Sequence, residues 1–365
     1  MTDAAVNLVG KSRTELERLF VAMGEKPFRA RQVMRWLYTR RVLDPQAMTD
    51  LSLALRERLT ASADFRLPEV LARERAADGV IKWQLAAGHG QAIETVFIPE
   101  DSRGTLCVSS QVGCAMNCSF CATGHQGFNR NLDAGEIVGQ VILAARELAA
   151  EDHERAVTNV VFMGMGEPLA NLRPLLEAVD VLTDDLAFGL SRRRVTVSTS
   201  GLVPQIRKLA DAARVALAVS LHAPDDDLRN ELVPINRRHP IAELLPACWE
   251  YVRKTNTKDV TFEYVMLQGV NDDLSHARKL ARLLRNRPAK VNLIPFNPFP
   301  GSDYRRSSAA QVDAFRDILM RAGVMTITRR TRGDDIAAAC GQLAGRVNNR
   351  VSAPLGSKTL GERLS

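Results

Sequence analysis

No apolar run in this chain approaches the length that a membrane span needs. Its first residues, Met1 to Arg13, lack the apolar centre of a secretory signal. No internal repeat and no low-complexity tract interrupts it. These absences exclude a helical membrane protein and a repeat architecture, and the expected compartment is the cytoplasm. Cysteine is also sparse, with 6 in 365 residues. In a reducing compartment a cluster of cysteines points to metal binding or catalysis rather than to structural disulfides.

Hydrophobic residues at 45% and charged residues at 25% are ordinary for a globular protein, and the length allows one barrel-sized domain plus a smaller one. The net charge is +7, which favours a polyanionic partner. From Lys26 to Arg41 no acidic residue accompanies Lys26, Arg29, Arg31, Arg35, Arg40 and Arg41. Phe28, Trp36 and Tyr38 are interleaved, and Val33 with Leu37 makes an apolar stripe. This pattern predicts a helix with a basic face suited to phosphates, although a merely solvated face has the same composition.

Residues 12–62 read as helices broken near 23–27 and 43–49. Alternating stretches follow at 80–86, 92–98 and 105–110, with Asp101-Ser-Arg-Gly104 as a hairpin turn. We expect an accessory domain over residues 1–90, with its boundary at Gly88 to Gln91. A core should span 91–348, and the polar tail at 349–365 should be mobile. In the core, strand-like and helix-like segments alternate, which implies an α/β fold with a parallel sheet. The candidate strands are 106–111, 159–163, 194–198, 214–220, 259–266, 290–295 and 325–330. The clearest helix starts at the capping box of Asp133 and Glu136. Six or seven such units fit a partial (β/α)6 barrel better than a closed one, with the accessory helices and a short β-hairpin extension before it.

In such barrels the active site gathers at the C-terminal ends of the strands. Here these ends carry unusual loops: Gly164-Met-Gly-Glu-Pro168, Ser198-Thr-Ser-Gly201, Ser220-Leu-His-Ala-Pro224 and Asn297-Pro-Phe-Pro-Gly301. Within the first loop, Glu167 can accept hydrogen bonds from an ammonium group. The loop after the first core strand holds Gly113-Cys-Ala-Met-Asn-Cys-Ser-Phe-Cys-Ala122. Three thiolates, Cys114, Cys118 and Cys121, can hold three irons of a four-iron, four-sulfur cluster and leave the fourth iron open. The competing reading is a closed Cys3His zinc site with His125, in a zinc-stabilised RNA-binding protein without catalysis.

The C-x3-C-x2-C run resembles the cluster motif of radical S-adenosylmethionine (SAM) enzymes. Together with Phe162-Met-Gly-Met-Gly-Glu-Pro168, Ser220-Leu-His222, Ile294-Pro-Phe-Asn-Pro-Phe299 and Arg332-Gly-Asp-Asp-Ile-Ala-Ala-Ala-Cys-Gly341, it resembles the radical-SAM adenine-C2 methyltransferases of rRNA and tRNA. The likeness runs from the basic helices to Gly341. It implies a [4Fe-4S] cluster, two SAM per turnover, 23S rRNA and tRNA as substrates, and an electron donor such as flavodoxin. It implies that Gly166, Glu167, Ser198, Ser220, Leu221, His222 and Asn297 hold SAM. It further implies that Cys340 carries an S-methyl group, that Cys107 resolves the RNA adduct through a transient Cys107–Cys340 disulfide, and that Glu94 accepts the adenine C2 proton. Cys248, in an apolar helical stretch, reads as core. A related reading keeps the cluster and methylates adenine C8, as some antibiotic-resistance enzymes do. The two share these cysteines, and Pro168 leans the comparison toward C2.

Overall fold

The computed structural model describes residues 6–151 and 157–348; the expected tail at 349–365 lies outside the described residues. The N-terminal module comprises β1 (Val6–Asn7), α1 (Arg13–Ala22), α2 (Pro27–Met34), α3 (Leu53–Ser62) and β2 (Ala63–Asp64), with β1 and β2 paired in parallel. Ser12 caps α1 in a reciprocal capping box with Glu15, and Ser52 caps α3. Val33 and Leu37 are fully buried, as the apolar stripe requires.

The basic segment differs from its sequence reading. Tyr38 is buried, and its hydroxyl bonds the Gly10 N–H and the Leu8 and Lys11 carbonyls. Trp36 is buried too and donates its Nε1 hydrogen to Asp50. Only Phe28 of the three aromatics stays exposed, with the Arg29 guanidinium 4.7 Å over its ring. A small module must bury large apolar rings in its own core, so two of the three interleaved aromatics pack inward with the Val33 and Leu37 stripe.

The rest of the chain builds one ten-stranded sheet. Its antiparallel limb is β3 (Val70–Arg75), β4 (Ile81–Ala86), β5 (Ala92–Glu100) and β6 (Arg103–Cys107). Strand β6 then opens the parallel limb, continued by β9 (Asn159–Phe162), β10 (Val195–Thr199), β11 (Ala216–Ser220), β12 (Val260–Met266), β13 (Ala289–Pro295) and β14 (Met325–Thr328). Six crossovers join these seven parallel strands, which bears out the partial barrel. They run through α5 (Ala134–Ala150), α6 (Leu172–Thr183), α7 (Val203–Ala212), α8 (Asp226–Leu232) with α9 (Ile241–Thr255), α10 (Leu274–Leu284) and α11 (Ala309–Arg321). The first crossover also holds β7 (Gln111–Gly113), α4 (Ala122–Gln126) and β8 (Phe128–Asn131).

Two boundaries move. The expected division at 88–91 falls on the turn between β4 and β5, which are paired from Ile81↔Phe97 to Ala86↔Ala92. A division there would cut a hydrogen-bonded hairpin. The strand expected at 106–111 is two pieces, because the chain leaves the sheet after Cys107 and pairs Gln111 with Asn131 instead. Strand β3 carried no signal in the sequence: most of its residues are exposed, so it lacks alternation. Among the described residues no helix is long and apolar enough to cross a membrane.

Candidate active site

The parallel strands end around a cavity of about 960 Å³, counting its open mouth. Cys114, Cys118 and Cys121 line one wall, carried by the loop between β7 and β8. That loop is closed at its base by the Cys114 N–H on the Gly127 carbonyl at 2.8 Å. Burial pushes the Cys118 thiol up to about 12 and raises Cys114 and Cys121 as well. Such thiols lose their protons when a metal centre replaces them.

The donor set fits a cluster and not one zinc ion. Among the described residues no three His, Cys, Asp or Glu side chains converge on a single metal position. His125 is turned away, with Nε2 2.8 Å from the Ser119 carbonyl and its ring edge-on to Phe299 at 5.3 Å. A cubane needs no convergence, since each thiolate takes its own iron.

The Gly164–Pro168 loop lines the same cavity as the thiols. Glu167 is buried, which raises its pKa, and it accepts the Leu169 N–H at 3.1 Å and the Ser200 N–H at 2.7 Å. The Glu167 N–H in turn donates to Gln111 at 2.8 Å. Gly166 adopts φ +102°, and a Cβ there would come within 2.5 Å of the Gln111 Cβ. Only glycine permits that approach. Ser198 and Ser220 add hydroxyls from the ends of β10 and β11.

His222 lines the cavity beside Phe120, with ring centroids 4.4 Å apart. Its Nδ1 accepts the Val265 N–H at 2.9 Å, which leaves the proton on Nε2 as a donor. Burial drives its pKa down to about 3, so the ring is neutral at physiological pH. Leu221 does not line the cavity. Its side chain is buried and its N–H bonds the Glu263 carbonyl at 3.1 Å. Asn297 does not line it either, because its amide is spent holding a neighbouring loop.

That loop carries Cys340. The Asn297 Nδ2 donates to the Cys340 carbonyl at 3.2 Å, the Ala122 N–H to the Gly341 carbonyl at 2.8 Å, and the Thr123 hydroxyl to the Leu343 carbonyl at 2.6 Å. Cys340 is thereby fixed on the wall of the cavity that the three clustered cysteines line, with its residue still exposed to solvent. Cys107, at the end of β6, is half-buried. Burial pushes its thiol up to about 12, with the nearby Cys340 sulfur adding to the shift. Glu94 is buried on β5, not exposed. Its Oε2 accepts the Ala344 N–H at 3.0 Å and its Oε1 lies 3.9 Å from the Lys82 Nζ. Neither Cys107 nor Glu94 contributes to the cavity wall.

Three charged residues escaped the sequence reading because nothing local marks them. Glu263 on β12 lines the cavity, accepts the Asn292 amide at 2.9 Å, and has one oxygen without a partner among the described residues. Arg329, just after β14, lines it as well; the facing Cys340, then Glu263 and Cys107, hold its guanidinium more firmly protonated. Arg229 is wholly buried on α8.

Comparison with known proteins gives concordant results. Residues 6–64 match the family described as the ribosomal RNA large subunit methyltransferase N-terminal domain, and residues 108–281 match the radical SAM superfamily. The chain is 55% identical over 346 residues to the dual-specificity RNA methyltransferase RlmN of Alkalilimnicola ehrlichii, covering 95% of this chain and 96% of that protein. It is 52% identical over 356 residues to the RlmN of Francisella tularensis subsp. novicida, covering 96% of each. Among solved structures, a radical SAM methyltransferase from Sphaerobacter thermophilus superposes with a TM-score of 0.87 at 46% identity, covering 93% of this chain and 99% of that one.

Proposed function

The chain belongs to the RlmN family of radical SAM RNA methyltransferases, and we propose that it methylates carbon 2 of adenine in RNA through a methyl group carried on Cys340. Its cofactors are a [4Fe-4S] cluster and SAM. We read Cys114, Cys118 and Cys121 as the cluster ligands, with Gly166, Glu167, Ser198, Ser220 and His222 around SAM. The carrying observation is the position of Cys340, far along the chain yet on the wall that the three clustered thiols line.

Carbon 2 of adenine is electron-poor and has no lone pair, so it is no nucleophile for an ordinary methyl transfer. The reduced cluster supplies the chemistry that remedies this, by splitting SAM to a 5′-deoxyadenosyl radical. In our reading the Cys340 thiolate first attacks the methyl of one SAM, forming a carbon–sulfur bond as the sulfonium carbon–sulfur bond breaks and S-adenosylhomocysteine leaves. A hydrogen atom would pass from that methyl to the deoxyadenosyl radical, and the carbon radical so left would add to adenine C2. Loss of the C2 proton, and of one electron to the oxidised cluster, would leave the RNA tied to Cys340. Glu94 is our acceptor for the C2 proton, and its hydrogen bond to Ala344 ties it to the Cys340 loop. The Cys107 thiolate attacks the Cys340 sulfur, forming a Cys107–Cys340 disulfide as the carbon–sulfur bond breaks, and the departing carbon keeps the electron pair and takes a proton to complete the methyl group of the product.

The substrates of this reading are an adenosine in 23S rRNA and one beside the anticodon of tRNA, with a flavodoxin-type donor reducing the cluster in the cytoplasm. The test is anaerobic turnover of cluster-loaded protein on both RNAs, followed by mass fragmentation of the nucleosides. The reading predicts 2-methyladenosine. Finding 8-methyladenosine would move the chain to the C8 chemistry, and no methylated adenosine at all would sink the proposal.

A further inference from the structure

Arg229 is 0% exposed and no carboxylate among the described residues lies within ion-pair distance of it; the nearby Asp226 offsets its charge only at longer range. Its Nε donates to the Leu221 carbonyl at 3.1 Å and its Nη1 to Asn236 Oδ1 at 2.6 Å. Its Nη2 donates to the carbonyls of Ser200 at 2.7 Å and Ser220 at 3.0 Å. All four acceptors are neutral. The acid of the same helix, Asp226, spends its Oδ1 on the Asn236 amide at 2.8 Å and the Ile241 N–H at 2.9 Å. Burial lowers the Arg229 pKa to about 10, which still leaves a full positive charge at neutral pH. A buried cation without a direct ion-pair partner is costly, and proteins keep one where nearby anions offset it.

The surroundings say where such an anion sits. Ser200, whose carbonyl Arg229 holds, also stands close enough to Cys118 for its side chain to lower that thiol's pKa. The Ser119 N–H donates to the carbonyl of Leu232, at the end of the Arg229 helix, at 3.2 Å. Gly201 has φ +115°, and a Cβ there would lie 3.2 Å from the Arg229 Nη2. The Ser-Thr-Ser-Gly loop is therefore shaped to admit the guanidinium, which lies near enough to Cys118 for each charge to favour the other. With nearly every hydrogen already committed, this group is a fixed charge and not a ligand.

Taking the three cysteines as cluster ligands, as the proposed function does, we propose that Arg229 is the buried counter-charge of the iron–sulfur cluster and raises its reduction potential. A cation held in a low-dielectric interior favours the more negative, reduced state of a neighbouring centre. Arg229 is thus a positioning residue for electron entry, acting through Cys118 and the loops at 200 and 220.

The test is an EPR-monitored redox titration of anaerobically reconstituted wild type, Arg229→Gln and Arg229→Lys, without SAM, after iron and sulfide analysis of each. Arg229→Gln should lower the reduced-to-oxidised ratio at a fixed potential about tenfold, equivalent to about 59 mV for one electron. Arg229→Lys, which keeps the charge but not the fork, should stay close to wild type. If Arg229→Gln does not fold, Arg229→Met fills the same volume and gives the same comparison. A fully loaded neutral variant with the wild-type potential overturns the proposal, as does a fall in Arg229→Lys matching that in the neutral variant. Wild type that takes up no iron and sulfide would instead overturn the cluster reading on which the proposal rests.

Discussion

Cys107 sits at the end of β6 with its thiol held protonated by burial, while Cys340 faces the cavity beside Arg329. The asymmetry is what the proposed mechanism requires, with one sulfur loaded first and the other called on last. Replacing Cys107 by Ala should leave cluster content unchanged and trap RNA on Cys340. We expect the covalent adduct on a denaturing gel to exceed wild type by about tenfold, the effect of slowing one step by ~1.4 kcal/mol. Normal turnover by that variant would remove Cys107 from the mechanism. His222 gives a second test. Its folded pKa of about 3 lies below the ordinary histidine value near 6.5. The unfolded chain therefore binds the proton more readily, and stability is lost as pH falls from about 6.5 toward 3. In cluster-free protein His222→Gln should flatten that part of the stability curve in urea titrations; an unchanged slope would contradict the neutral, buried ring. The cysteine triad was legible in the sequence because ligand spacing is local. Arg229, Glu263 and Arg329 were not, because a single charged residue acquires meaning only from what buries it.

Among the elements, α5 repays its clear sequence signal. Asp133 accepts the Glu136 N–H at 2.7 Å, and Glu136 returns a bond to the Asp133 N–H at 3.0 Å. Asp133→Ala should cost about 1 kcal/mol of unfolding free energy by denaturant titration; no loss would mean that packing alone holds the helix start. Recognition of β9 to β13 came from the same kind of evidence, short apolar runs between helical patterns. Strand β3 and the split of β6 from β7 were hidden because pairing partners, not composition, decide them. The Cys340 loop has almost no regular structure and hangs on side chains from distant elements. Asn297→Ala removes one bond to it, so amide exchange across residues 338–343 should quicken about fivefold, near 1 kcal/mol. Unchanged exchange would show that the contacts at Ala122 and Thr123 suffice.

At the scale of the molecule, the basic module and the barrel form one body. Arg13 pairs with Asp184 and Asp185 beyond α6, and the Thr39 hydroxyl donates to the Leu186 carbonyl at 3.2 Å. The module's charge was legible in the sequence, whereas the burial of Trp36 and Tyr38 in its core was not. Phosphate contact by this face predicts that RNA affinity falls steeply with salt, by about 0.7 log–log units per single-strand contact. A flat dependence would take the module out of RNA binding. In the proposed reading, module, barrel and the Cys340 loop together deliver one adenine to one sulfur. The most direct test is the intact mass and peptide map of the protein isolated anaerobically from cells. The account predicts a single added methyl on Cys340, lost in Cys340→Ala. An unmethylated Cys340 in protein that still methylates RNA would contradict it.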